Sequence, residues 1–187
     1  MRNKGFTLIE LVVVIVILGI LAVVAAPKFM GLQQEARIAD LKGLEGSLKA
    51  ANEMVYAKAA MKGLEHSEFF NSKTSENNIE INGKRVDLNY GYIKPTSDNI
   101  KRILDISDGD WNIQGYPGLF NPIYLTPKTA PAFHANNKSY RPDASGDNIK
   151  ASNCYLSYSF IDSHDPLFSG NNKQLKIPQY HLVTSGC

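Results

Sequence analysis

The 187 residues are enough for a domain with its own core. Hydrophobic residues make up 43% and charged residues 20%, the balance of a folded protein rather than a disordered one. The net charge of +2 (20 Lys and Arg against 18 Asp and Glu) is accounted for by Arg2 and Lys4, so the neutral remainder gives no electrostatic case for nucleic acid as a main partner.

The first element is an apolar run from Phe6 to Ala26 whose one ionisable side chain is Glu10. As a helix it would span about 31 Å, close to the hydrocarbon thickness of a bilayer. Arg2 and Lys4 before it predict a cytoplasmic N-terminus and an exported body. A cleaved secretory signal competes with this reading, because Ala22, Ala25 and Ala26 could form a small-residue cleavage site. An ordinary membrane anchor is a second competitor, but it leaves Glu10 unexplained.

A carboxylate inside a bilayer costs about 2.5–3.5 kcal/mol on insertion scales. An ammonium group beside it removes that objection. Cleavage after Gly5 would give Phe6 a free α-amine one helical turn from Glu10. In a bundle of parallel copies the amine of one chain can meet the carboxylate of the next, fixing their axial register.

Gly5-Phe6-Thr7-Leu8-Ile9-Glu10, followed by the apolar helix and Pro27, resembles the prepilin motif of type IV pilins. The pseudopilins of type II secretion share it. The resemblance implies a prepilin peptidase that cleaves between Gly5 and Phe6 and methylates the Phe6 amine. It implies anchorage in the bacterial inner membrane, then packing of the helices into a filament core, with Phe6, Glu10 and Pro27 as assembly residues. It also implies that the stretch from Gly19 to Pro27 can lose helicity on packing.

Past Pro27 the pattern becomes amphipathic. Leu41, Leu44, Leu48, Ala51 and Val55 form one face, with Arg37, Asp40, Lys42, Glu45, Lys49 and Glu53 on the other. Lys62-Gly63 is the expected stop, so one helix is predicted from Phe6 to Lys62, about 85 Å long if straight. Pro27, Gly19 and Gly31 are its weak points.

A β-hairpin is predicted around Asn82-Gly83, with Ile79 and Ile81 before the turn and Val86, Leu88 and Tyr90 after it. Ile100–Ile106 fits a short helix. Cys154–Phe160 alternates as a strand with Leu156, Tyr158 and Phe160 on one face. Lys173–Ile177 and Tyr180–Val183 are expected as two strands separated by Pro178. A long helix followed by antiparallel strands defines an α+β architecture. It matches the type IV pilin roll, in which the helix packs on an antiparallel sheet.

Ala26-Pro27-Lys28-Phe29, Ala36-Arg37, Leu41-Lys42-Gly43-Leu44 and Asn52–Ala59 resemble the mannose-sensitive haemagglutinin (MSHA) pilins, as do Tyr90-Gly91-Tyr92 and Leu104–Trp111. The expected organisation is a cleaved leader over 1–5, an apolar transmembrane and polymerisation segment over 6–33, and a globular head over 34–187.

Cys154 and Cys187, in a chain exported by its own N-terminus, suggest a disulfide. Closing a loop of that length stabilises by roughly 3.8 kcal/mol in the chain-entropy model. The bond would match the disulfide-bounded C-terminal region of pilins, here 154–187. Metal ligation and reduced buried thiols are the rivals. The first lacks a nearby histidine, and the position of Cys187 at the sequence end argues against its burial.

Asp105–Asn112 offers oxygen ligands around Gly109 without the calcium-loop spacing, and a helix end followed by a polar turn explains it equally well. The resembling secretion pseudopilins bind calcium. Asp162-Ser163-His164-Asp165 holds hydrolase residue types, but neighbours in one turn cannot make a triad geometry. His66, His134 and His181 have no ligand spacing. Tyr116, Phe120, Tyr124, Phe133 and Tyr140 are expected mostly in core or loop packing.

The expected function is structural, not enzymatic and without a cofactor: an MSHA-type major pilin polymerising into a surface filament for adhesion and biofilm formation. Expected partners are other pilin copies, the prepilin peptidase, the assembly machinery, the inner membrane before assembly, and a host or abiotic surface, carbohydrate among the ligands. The alternatives are a secretion pseudopilin, a minor pilin, and a tethered enzyme or sugar-binding domain.

Overall fold

The computed structural model describes residues 6–66, 77–115, 122–130, 147–161 and 174–187. Helix α1 runs without interruption from Leu8 to Met61, Pro27 included. Its end is set at Gly63, whose positive φ lets the Gly63 and Leu64 amides donate back to the carbonyls of Ala60 and Ala59. The chain divides into two compact units, 1–36 and 37–187.

Among the described residues of the second unit, seven antiparallel strands follow α1, with two short helices among them. The first sheet is β1 (Asn78–Ile81), β2 (Lys84–Asn89) and β3 (Tyr92–Ile93) in that order. Asn82 and Gly83 turn β1 into β2 with positive φ at both positions, the backbone that tight two-residue hairpins require. The second sheet is β4 (Trp111–Gly115), β5 (Ile123–Pro127), β6 (Tyr155–Ile161) and β7 (Gln174–Val183). Helix α2 (Ser97–Leu104) starts at a Thr96 cap and ends at Asp105 in the left-handed conformation; α3 spans Asp147–Ala151. The predicted short helix is present, displaced towards its cap.

The expected pair of strands around Pro178 is one strand, β7. Pro178 is tolerated because β7 is an edge strand and its pairing with β6 slips there: Ser159 faces Gln179, whereas Ile161 faces Gln174.

The core is built on one stripe of α1. Leu41, Leu44, Leu48, Val55 and Ala59 are buried against Ile79, Val86, Leu88, Ile93, Leu125, Leu156, Tyr158 and Phe160. One position departs from expectation. Ala51 lies at the edge of the stripe, and Asn52 occupies its centre with 1% of its surface exposed.

Asn52 is kept there by hydrogen bonds at both ends of its amide. Its Oδ1 accepts from the Ile93 amide at 2.9 Å, and its Nδ2 donates to the Tyr180 hydroxyl at 2.6 Å. The Tyr158 hydroxyl donates to the Ile93 carbonyl and stands 3.3 Å from Asn52 Oδ1. One side chain of α1 thus holds β3, β6 and β7. The same bonds explain why the strands form two sheets rather than one. The outward amide and carbonyl of Ile93, which a further strand would have used, are taken by Asn52 and Tyr158.

Asn99 does similar work for α2. Its amide accepts from Asp87 N and donates to the carbonyls of Asp87 and Lys94. At the other end of the sheet, Cys154 and Cys187 form a disulfide, and both are buried, contrary to the expectation for Cys187. Two contacts hold that corner in place. Arg37 Nη1 donates to the Cys187 carbonyl at 2.7 Å. A side chain at Gly186 would put its Cβ 2.0 Å from the Ser152 carbonyl oxygen, so no other residue fits.

Asn52→Ala should destabilise the folded chain by about 3 kcal/mol, because it leaves buried polar partners unmatched. Denaturant unfolding monitored by tyrosine fluorescence measures this directly. The tyrosines add a pH signature. Burial holds the Tyr158 hydroxyl well above its ordinary value and pushes Tyr180 up to about 12. Unfolded tyrosines release their protons near pH 10, so the native state then holds more protons than the unfolded one. Stability should be fully present below pH 10 and should fall as pH climbs from 10 towards 12. Tyr180→Phe should flatten that fall in thermal melts taken across the range.

Candidate assembly surface

The large side chains of the apolar run predicted to need a membrane or neighbouring copies are exposed among the described residues. Phe6 is 85% exposed, and Leu8, Ile9, Leu11, Ile15, Leu18, Ile20, Leu21, Val23 and Phe29 are all exposed. This is the one helix among the described residues long and apolar enough to cross a membrane. So large an apolar surface marks a site of membrane contact or protein association.

The beginning of α1 explains how Glu10 sits there. Thr7 is the capping residue, and Glu10 is three positions further on. The Thr7 amide donates to Glu10 Oε2 at 2.8 Å and the Thr7 hydroxyl donates to the same oxygen at 2.6 Å. The Glu10 amide in turn reaches Thr7 Oγ1 at 3.4 Å. This is a capping box, the Thr-x-x-Glu arrangement that satisfies orphan amides at a helix start. The carboxylate also lies at the positive end of the helix dipole.

From sequence, Glu10 is expected as a partner for an amine; its second role, as the acid of a capping box, is signalled by the Thr7-Leu8-Ile9-Glu10 spacing. The two roles are compatible, since both Thr7 bonds fall on Oε2. A shallow groove of about 370 Å³, lined by Phe6, Ile9, Glu10, Val13 and Val14, runs beside the carboxylate. Gly5 lies outside the described residues. Pro27 sits within α1, where it has no amide to donate.

The other candidates fall into place less functionally. Asp105 pairs with Lys84 at 3.2 Å and Asp108 with Lys101 at 2.6 Å. Asp110 accepts from Ser107 at 3.0 Å. These carboxylates staple the polar turn after α2, and no group of three or more metal-ligating side chains stands together among the described residues. His66 and His181 are exposed and apart, and Tyr124 is buried on β5. The Asp162–Asp165 turn, His134, Tyr116, Phe120, Phe133 and Tyr140 lie outside the described residues.

The long N-terminal helix followed by antiparallel sheets is the α+β architecture of a type IV pilin. Residues 1–26 match the family model described as the prokaryotic N-terminal methylation motif. Over 51 residues the chain is 47% identical to the type IV narrow pilus major component PilA5 of Thermus thermophilus, covering 27% of this chain and 44% of that protein. Over another 51-residue match it is 49% identical to the type II secretion system core protein G of Klebsiella pneumoniae, covering 25% of this chain and 36% of that protein. It is 39% identical over 67 residues to the fimbrial protein EcpB of Eikenella corrodens, covering 36% and 42% respectively. The chain thus spans less than half the length of these curated relatives. No solved structure matches it. The similarity is to type IV pilins and to secretion core proteins G, and it spans about a quarter to a third of this chain.

Thr7→Ala should loosen the start of α1 without shortening the rest. Amide exchange at residues 8–10, measured on the full chain in micelles, should accelerate roughly fivefold while residues 40–60 are unchanged.

Proposed function

We propose that this chain is a structural subunit, without enzymatic activity, that polymerises through α1 into a type IV pilus. The observation that carries the proposal is the uncovered apolar surface of residues 6–32 with a carboxylate at its start. Before assembly a single-pass helix in the inner membrane, N-terminus cytoplasmic, would cover that surface. After cleavage by a prepilin peptidase between Gly5 and Phe6 and methylation of the Phe6 amine, neighbouring helices would cover it instead.

In the filament, Glu10 serves two partners. Oε2 keeps the Thr7 cap and so keeps the helix start ordered. Oε1 accepts the Phe6 ammonium of the next copy. An axially misplaced copy leaves both charges unpaired in an apolar surround, which penalises every register but one. The body, including the disulfide corner of Cys154 and Cys187, would form the outer surface of the fibre. The motifs around Asn52–Ala59 and Tyr90–Tyr92 favour an MSHA-type major subunit that mediates attachment to host or abiotic surfaces and biofilm formation.

The similarity to secretion core proteins G favours a second reading, a pseudopilin that forms a periplasmic fibre. The head-stabilising disulfide and the length of the body weigh towards the exposed fibre.

Glu10→Ala tests the pairing. The variant should be cleaved as efficiently as the parent, on immunoblots of whole cells, while sheared surface filaments fall by at least tenfold. A normal filament yield would mean that register is set elsewhere.

A further inference from the structure

Two charges at the outer end of the apolar surface have no counter-ion in their own chain. Lys28 and Glu35 are exposed, and neither forms a salt bridge among the described residues. Charges further along α1 differ. Lys49 pairs with Glu45 at 2.6 Å, and Arg37 donates to the Cys187 carbonyl. Phe29 and Leu32, beside Lys28, are 64% and 59% exposed.

Helical geometry puts Lys28 and Glu35 on the line that Glu10 already marks. Helix α1 is continuous from Leu8 to Met61, so each residue turns it by about 100°. Lys28 lies about five full turns beyond Glu10 and stands on the same line; Glu35 is about 20° from it. Extended back to Phe6, the same spiral brings that residue within about 40° of the line. A neighbour that turns its Phe6 towards this stripe therefore turns its Lys28 the same way.

Identical parallel copies share one axial offset along their whole length. Pairing the Phe6 amine with Glu10 spans four residues, about 6 Å of rise. Lys28 and Glu35 are seven residues apart, about 4.5 Å more. The Phe6 amine sits on the backbone, whereas the Lys28 ammonium sits on a flexible four-carbon stem that covers the difference. Other charges nearby do not match. Lys28 to Asp40 exceeds the offset by about 12 Å, and Lys42 to Glu35 needs an offset of opposite sign.

We propose that Lys28 of one copy forms a salt bridge with Glu35 of the next, a second register lock at the far end of the apolar surface. The contact presupposes assembly through α1 as described above. An exposed ion pair contributes little in water. In a fibre, neighbouring helices cover Phe29 and Leu32, which draws the pair out of water, where an unmatched charge is costly. Each copy offers Lys28 to one neighbour and Glu35 to another, so the contact repeats along the fibre.

Charge reversal in the full chain, expressed in cells, tests this. Lys28→Glu and Glu35→Lys, each alone, should cut sheared filaments roughly fivefold or more. The double variant should recover to within about twofold of the parent. Leader cleavage on immunoblots should be unchanged in all three, since both positions are exposed and outside the core. Carbodiimide coupling of sheared filaments and of envelope fractions joins a carboxylate to an amine with loss of water. It should give a ladder of covalent multimers whose joined peptides carry Lys28 and Glu35. Within one chain the two residues are about 10 Å apart along the helix, too far for a direct amide, so the coupling reports a neighbour.

Parental filament yield in either single variant overturns the proposal, and so does failure of the double variant to recover. A loss of cleavage or membrane retention in Lys28→Glu that Glu35→Lys does not rescue assigns Lys28 to a phospholipid phosphate and overturns it too. A Lys28–Glu35 ladder in envelopes without sheared filaments contradicts only the surface-pilus reading. Sheared filaments without that coupling contradict only the second lock.

Discussion

The constraint on which everything else depends is a change in character along α1. From Leu8 to Ala26 the helix is apolar on every side but for Glu10, and its large apolar side chains are exposed among the described residues. From Arg37 onwards it is apolar along one stripe, and that stripe is the floor of the core. A helix apolar all round is stable only in lipid or among other helices, whereas a one-sided helix is stable against sheets. A single element therefore serves two environments. The second half can fold the head while the first half stays available for membrane or for copies of the same chain.

The head is organised around the exception on that stripe. Asn52 spends its amide on β3, β6 and β7, at a position where a leucine would have packed. Apolar packing is tolerant of small rotations; these hydrogen bonds are not. The arrangement fixes the rotation of α1 under both sheets and closes the edge of the smaller one at Ile93. It also explains the tyrosines beneath the sheets. Tyr158 and Tyr180 bring bulk to the core and hydroxyls to the same amide, with rings 5.4 Å apart.

Much of this was legible in the sequence because it rests on local rules. The apolar run, the stripe at three- and four-residue spacing, and the Asn82-Gly83 hairpin each follow from periodicity or turn chemistry. The disulfide partners needed only arithmetic, two cysteines in a chain expected to be exported, although burial of Cys187 required the Gly186 and Arg37 contacts that no local pattern announces.

Three features were not read from the pattern. Asn52, a polar residue one step from Ala51, reads as a neighbour of the stripe. Its hydrogen-bond partners lie 41, 106 and 128 residues away. Pro178 predicts a break between two strands because proline ends a strand in isolation, but not at an edge with a pairing slip. The capping box is written in Thr7-Leu8-Ile9-Glu10, in an apolar surround where a carboxylate reads first as a partner for an amine.

The measurement that bears most directly on the account is the intact mass and N-terminal residue of protein sheared from the cell surface, recorded before and after reduction. The account predicts a chain that begins at Phe6, carries one methyl group, and gains two hydrogens when the bond between Cys154 and Cys187 is reduced. A surface protein that retains Met1, or one cleaved near Ala26, would remove the Phe6 amine from the place where Glu10 needs it and would contradict the assembly mechanism.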